Sequence, residues 1–401
     1  MKIQILILSL ILSCGTLFSQ SSTAEKQTES NKMLPNSKEI EANFLSSYYQ
    51  QDGNNAAVTG GTGTEKLVDF ANIFTVNVPL DSINSVGLNG GADFYSSAST
   101  DNIDSYTSSA SSQDVRTFAT ISYNRKNLKA GETYGIRAGF STEYDYRSFS
   151  AGLSYTKEWN HGNSELNLTT QAFFDDWSII YPYELRGKVT LPGSARKSLN
   201  AQANFFQVIN KRLQLGISAE LIQMTGLLST PFHRIYFKDI SIPDIERLPD
   251  TRLKVPLGIR VNYHLRDYMI ARTFYRYYWD DFGIYSNTFE IELPVKLSLA
   301  LTMGPFYRYH RQTGSKYFAP FQTHLSTEIF YTSDYDLSAF ESHKYGLTIR
   351  YSPLFGLFRT GKIPVVNRLF MMKYIESRIG IYNRSTGLNA FFVSINLGFS
   401  L

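Results

Sequence analysis

The sequence predicts an all-β chain closed into an antiparallel transmembrane β-barrel of about sixteen strands, with fourteen as the alternative count. Three observations carry that expectation. Apolar and polar residues alternate with a period of two over most of the chain beyond residue 42, which places successive side chains on opposite faces of strands. The alternating segments run about 10–14 residues and carry charges on their polar faces, whereas globular strands average about 5–6 residues. Short polar turns alternate with longer loops, as in outer-membrane barrels. A β-sandwich also alternates, so the period alone does not separate the two folds.

The elements follow in order. Residues 1–19 have the layout of a secretory signal peptide, with Lys2 ahead of the apolar stretch Ile3–Leu12. Cleavage after Ser19 competes with a lipoprotein-type cut that would leave Cys14 lipidated. That stretch is too short for a membrane helix, which needs about 20 apolar residues. Cys14 is the only cysteine, so cleavage after Ser19 leaves no thiol chemistry. Residues 20–41 are polar and read as a flexible periplasmic lead segment. The barrel is expected over 42–401, its strands running from 43–52 to 388–400. Short turns are expected at 124–131, 160–163, 209–212, 264–267 and 294–298. Longer loops are expected at 98–112, 178–194, 224–251 and 312–340.

Faces are assigned strand by strand. In 252–264, Leu253, Val255, Leu257, Ile259, Val261 and Tyr263 share one side, against Lys254, Arg260 and Asn262 on the other. The segment 268–279 sets Tyr275, Tyr277 and Trp279 against Arg272 and Arg276, and 298–311 sets Tyr307 and Tyr309 against Arg308. Amphipathic rings prefer the membrane boundary, so these five aromatics are assigned to an outward girdle. An outward arginine near mid-bilayer would cost about 2–4 kcal/mol, so the arginines are assigned to the lumen. A hairpin centred near Phe282 brings Glu292 opposite Arg272 and Glu290 diagonally between Arg272 and Arg276. With Glu220, Arg260, Arg308, Arg350, Glu376 and Arg378 they make a lumen network of both signs. It reads either as a selective constriction or as interior filling.

Other chemistry is sparse. A net charge of +4 with no basic run gives no footprint for nucleic acid. The six histidines show no metal-protease spacing, and no nucleophile-elbow or phosphate-loop motif occurs, so neither an enzyme nor a cofactor is expected. Asp101, Asp104 and Asp114, among serines, form a weak calcium candidate loop. Asp280, Asp281, Asp334 and Asp336 read equally as an acidic cluster at the rim or as ordinary turn and loop chemistry. Residues 353–369 read as an interfacial segment or as a connection packed on the barrel end.

The stretches "SSASTDNIDSYTSSAS", "FYRYYWDDFGIYSNTFEIELPVKL" and "TSDYDLSAFESHKYGL" resemble the bacterial family called domain of unknown function 3570, over nearly the whole mature chain. The sequence departs from it at "QTGSKYFA" (312–319), where the family often carries Gln-Ser-Ala-Ala-Asp. The resemblance implies an exported barrel and, by association alone, a link to periplasmic flavin or redox systems. The ending "NLGFSL", with Gly398, Phe399 and Leu401, looks like a signal for the barrel-insertion machinery. The expected role is passage of an unidentified solute or a modified peptide across a Gram-negative outer membrane. The alternative is a charge-packed barrel that anchors or scaffolds a periplasmic partner.

Overall fold

Alternation of side chains every second residue leaves one apolar and one polar face on each strand, and a closed sheet buries neither against a second layer. The computed structural model, which describes residues 39–96, 113–363 and 368–401, has that form. Its barrel strands are β1 (Glu41–Asp52), β2 (Leu67–Pro79), β3 (Asn84–Ser96), β4 (Gln113–Asn127), β5 (Glu132–Thr142), β6 (Tyr146–Trp159), β7 (Ser164–Trp177) and β8 (Ala195–Asn210). They continue as β9 (Leu213–Gly226), β10 (Thr251–Arg266), β11 (Met269–Asp280), β12 (Tyr285–Glu292 with Val295–Lys296), β13 (Leu301–Gln312), β14 (Phe340–Tyr351), β15 (Arg368–Arg384) and β16 (Asn389–Ser400). Each pairs antiparallel with the next.

Closure is complete. β16 pairs with β1 from Glu41↔Ser400 to Asp52↔Asn389, and the backbones of Ile40 and Leu401 exchange two hydrogen bonds of 2.8 Å. Among the described residues, no edge of the sixteen-stranded wall is left unpaired. β12 is interrupted at Pro294, which has no N–H to give the ladder.

The predicted strands and turns recur with local shifts. The turn expected at 294–298 lies later, because Val295 and Lys296 still pair with Met303 and Thr302. Leu297 N–H and Ser298 N–H then donate to Leu301 O at 2.9 and 3.2 Å. Glu41, assigned to the lead segment, is the first residue of β1; the rest of the signal and lead, Cys14 included, lies outside the described residues up to position 38. Phe358–Ile363 forms a hairpin with the start of β15. Leu354 and Phe355, at the described start of this connection, are 88% and 71% exposed and do not pack on the barrel end.

The outer face is apolar. Leu257, Ile259, Ile217, Leu153 and Ile381 are all exposed on it. Tyr275, Phe289 and Tyr309 stand side by side on β11, β12 and β13, with Tyr307 beside Tyr345 on β14. Tyr277 and Trp279 continue this girdle one turn of pleat nearer the long loops, facing Leu257 and Val255. A second girdle, unforeseen from the sequence, lies toward the short turns: Tyr123, Tyr134, Trp159, Tyr263, Tyr268 and Tyr351, all exposed. From Val255 to Tyr263 the strand advances about 26 Å at ~3.3 Å per residue, or roughly 20 Å along the barrel axis at a 40° tilt. That is near the height of a hydrocarbon band, about 25 Å.

Among the described residues, the most deeply buried large side chains are not at mid-barrel. The largest fully buried side chains, including Phe282, Leu185, Ile235, Ile245 and His233, all belong to the long-loop end.

Candidate functional site

The inner wall is built by strand parity. On β11 and β12, Arg272 faces Glu292 and Phe274 faces Glu290, which sets Glu290 diagonally between Arg272 and Arg276. One transverse row runs Arg260, Phe274, Glu290, Arg308 and Lys344 from β10 to β14. Glu220 enters from β9 and feels the charges of Arg276 and Lys254. Arg350 and Glu376 face one another on β14 and β15, with nitrogen and oxygen 3.6 Å apart. Arg378 lies one pair along, opposite Thr348. Parity thus gathers all ten sequence-assigned lumen charges on the arc β9–β15.

These cations do not stand into empty space. Arg378 lies 4.0 Å above the Phe306 ring, Lys344 4.3 Å above Phe392 and Arg350 4.1 Å above Tyr374. Each ring in turn lies flat over a glycine of the neighbouring strand: Phe306 over Gly346, Phe392 over Gly380 and Tyr374 over Gly398. A Cβ on Gly346 would come within 2.7 Å of the Phe306 ring and 2.0 Å of Ile379 O. Only a residue without a side chain permits that approach, an interior case of a ring covering a strand glycine.

The charge is lopsided around the wall. On β10–β15, Arg252, Lys254, Arg384 and Lys344 join the six arginines already placed there, against Asp280, Glu290, Glu292 and Glu376. Most of the cations at mid-wall are half-buried, hence in contact with lumen space. On β2–β7 carboxylates prevail: Asp69, Asp93, Asp114, Glu165 and Asp175 against Arg116 and Arg137. Near the loop end Arg116 approaches Asp93 at 3.6 Å and Glu143 at 3.8 Å. Burial raises the Glu143 carboxyl to about 7, with Arg116 opposing. Of the calcium candidates, Asp101 and Asp104 lie outside the described residues; Asp114 accepts from Tyr95 Oη at 3.1 Å and from Val115 N–H at 2.7 Å.

The long loops roof the mouth at that end. The β1–β2 and β9–β10 loops spring from strands half a circumference apart, roughly 30 Å for a circular sixteen-strand section. They nevertheless meet: Arg234 Nη1 donates to Val58 O at 3.2 Å, and its Nη2 donates at 3.2 Å to Glu184 of the β7–β8 loop. Ile235, Phe237 and Tyr331 form a buried apolar cluster between the β9–β10 and β13–β14 loops. Arg247 and Tyr331 exchange backbone bonds of 3.1 and 2.8 Å. Burial and the charge of Asp336 raise the Glu65 carboxyl above its usual range, while Arg384 and Asn55 N–H pull it down.

Of the two readings of the rim aspartates, ordinary turn and loop chemistry holds, because each carboxylate is committed to a partner of its own. Asp280 pairs with Arg252, Asp281 accepts from Leu253 N–H at 3.0 Å, and Asp336 pairs with Arg384 at 2.5 Å. Asp334 turns toward His233 and Glu246. The sequence reading missed Lys344, although it shares the parity of Arg350. It missed the His233 grouping because no local spacing links residue 233 to 334.

A family model described as "Protein of unknown function (DUF3570)" matches residues 7–355. No curated protein sequence matches the chain significantly. Among solved structures, a bacterial polysaccharide outer membrane secretin aligns with a TM-score of 0.47 and 11% identity, over 90% of this chain and 98% of that one. A Pseudomonas aeruginosa OccK1 (OpdK) structure aligns with a TM-score of 0.41 and 9% identity, over 90% and 98%. A ferric enterobactin receptor mutant from Pseudomonas aeruginosa aligns with a TM-score of 0.44 and 14% identity. In that case 86% of this chain covers 53% of the receptor, so the chain spans about half its length.

Proposed function

The chain belongs to this family of unknown function, and from that premise we propose that it is an outer-membrane pore, not an enzyme, that passes small anionic solutes beneath a gating roof. The observation that carries the reading is the half-buried row of inward cations on β10–β15, faced across the lumen by an excess of carboxylates. Such an arrangement sets a transverse field that orients charged solutes and favours one sign of ion along one wall. The outward apolar belt and its two aromatic girdles support a bilayer as the surrounding medium, entered through the barrel-insertion machinery.

Reversal potentials in planar bilayers under a KCl gradient test the reading. The wild type is expected to open intermittently and to prefer chloride. Arg308→Glu is expected to lower the chloride-to-potassium permeability ratio about two- to fivefold. A protein that never conducts, even after the loops are cut, refutes it. The roof favours a second reading, a closed barrel that scaffolds a periplasmic partner, and a silent barrel that retains such a protein on purification supports that one.

A further inference from the structure

The β9–β10 and β13–β14 loops bring together three chemically able side chains deep in the roof. His233 and Glu246 come from the first loop and Asp334 from the second. His233 and Glu246 are each 2% exposed, and the Asp334 side chain 13%. His233 Nδ1 has no hydrogen-bond partner, yet it points at two carboxylates, 3.6 Å from Glu246 Oε1 and 3.9 Å from Asp334 Oδ2. All three donor atoms lie within 4.8 Å of one another.

These separations discriminate between two explanations. A protonated histidine bound directly to a carboxylate closes to about 2.7–2.9 Å. Two ligands of one cation, each about 2.0–2.2 Å from it, stand roughly 3.0–3.5 Å apart at octahedral or tetrahedral angles. The His233 distances exceed the first range and lie a few tenths of an ångström from the second. The carboxylates are also held from behind. Glu246 Oε2 accepts from Thr230 N–H and Oε1 from Thr332 Oγ1, both at 2.6 Å, and Asp334 Oδ1 accepts from Asp336 N–H at 2.9 Å. Outer partners of this kind fix the orientation of metal-binding carboxylates.

We propose that His233, Glu246 and Asp334 bind a divalent transition cation that staples the β9–β10 loop to the β13–β14 loop. One imidazole nitrogen and two carboxylates, with no thiolate, suit Zn²⁺ or Mn²⁺ and disfavour Cu⁺. The ion neutralises two buried carboxylates and joins segments about a hundred residues apart in sequence. The inference does not depend on what the barrel passes.

The test uses the full chain folded in detergent, stripped with EDTA and offered ZnCl₂ or MnCl₂. One equivalent of metal per chain is expected to survive gel filtration, and His233→Gln and Asp334→Asn are each expected to weaken retention at least tenfold. His161→Gln, in the exposed β6–β7 turn, serves as the unaffected control. The wild type also decides the matter without variants: zinc is expected to slow tryptic cleavage at the exposed Lys238 about tenfold, and chelator to restore it. Metal retention no better than that of His233→Gln, or cleavage indifferent to zinc and chelator, overturns the proposal.

Discussion

Arg234 reaches Val58 across the mouth of the barrel, its Nη1 donating to that carbonyl at 3.2 Å. The two residues stem from connections eight strands apart, so a single guanidinium joins opposite sides of a sixteen-stranded ring. Glu184 from a third loop completes the junction at 3.2 Å. The roof is therefore a small folded unit, held by a buried arginine and an apolar cluster of its own.

Arg234→Ala removes that junction while leaving the barrel ladder untouched. The Arg234 side chain is 6% exposed and Glu184 is 41% exposed, so the loss is expected to be about 1–3 kcal/mol and confined to the roof. In bilayer recordings the open fraction is expected to rise about tenfold or more, the equivalent of 1.4 kcal/mol. An unchanged open fraction would detach the roof from gating.

The outward register is tested at Ile259, half exposed on β10 between Tyr275 and Ile217 of the flanking strands. Ile259→Arg is expected to destabilise the barrel by about 2–4 kcal/mol in lipid vesicles. The readout is the urea midpoint. A near-neutral effect there contradicts a hydrocarbon environment on this face.

Gly346→Ala tests the packing of rings on the inner wall. The added Cβ would sit 2.0 Å from Ile379 O and 2.7 Å from both Gly380 Cα and the Phe306 ring. Backbone cannot yield cheaply, so a cost of about 1–3 kcal/mol is expected in the same unfolding assay. Gly187→Ala is the converse case, with nothing within 4 Å of the added Cβ but a positive φ of 73°, so any cost there reports backbone strain without a steric clash.

The pH dependence of stability is tested at Glu143. Its carboxyl rises from 4.5 to about 7 on folding because its side chain is buried, 5% exposed. A raised carboxyl favours the folded state while it is neutral. Its contribution is therefore fully present below pH 4.5 and is lost as the pH rises through 7. Wild-type stability is expected to lose up to about 3 kcal/mol over that window, at roughly 1.4 kcal/mol per unit. Glu143→Gln is expected to flatten the curve between pH 4.5 and 7, measured by urea midpoints at fixed salt.

Much of this architecture is legible in the sequence because a period of two is a local signal. The parity that turns Arg272 inward also fixes Arg276 and, across the hairpin, Glu292 opposite Arg272, without any tertiary knowledge. Pro294 shows the limit: it breaks a ladder that resumes at Val295, so the turn appears too early. The second girdle escaped because Tyr123, Tyr134 and Tyr263 are spread over separate hairpins and form a ring only after closure. The roof is invisible for a related reason. Val58, Glu184, Arg234 and Tyr331 share no periodicity, and their contacts exist only once loops from around the circumference converge. The choice between an acidic rim and ordinary loop chemistry is hidden on the same account, since Asp280, Asp336 and Asp334 each take partners that no local spacing specifies.

The rings laid over Gly346, Gly380 and Gly398 have a further consequence for the free width of the lumen. A phenyl group upright on the wall would project into the passage by its full length, about 5–6 Å. Lying flat, it occupies only about the 3.5–4 Å thickness of one van der Waals layer. Glycine thus sets the free diameter here: where it is present, an aromatic lining and its attendant cation narrow the lumen least. Bore and strand number need not change together, and single glycine positions can widen or throttle a barrel whose backbone circumference stays the same.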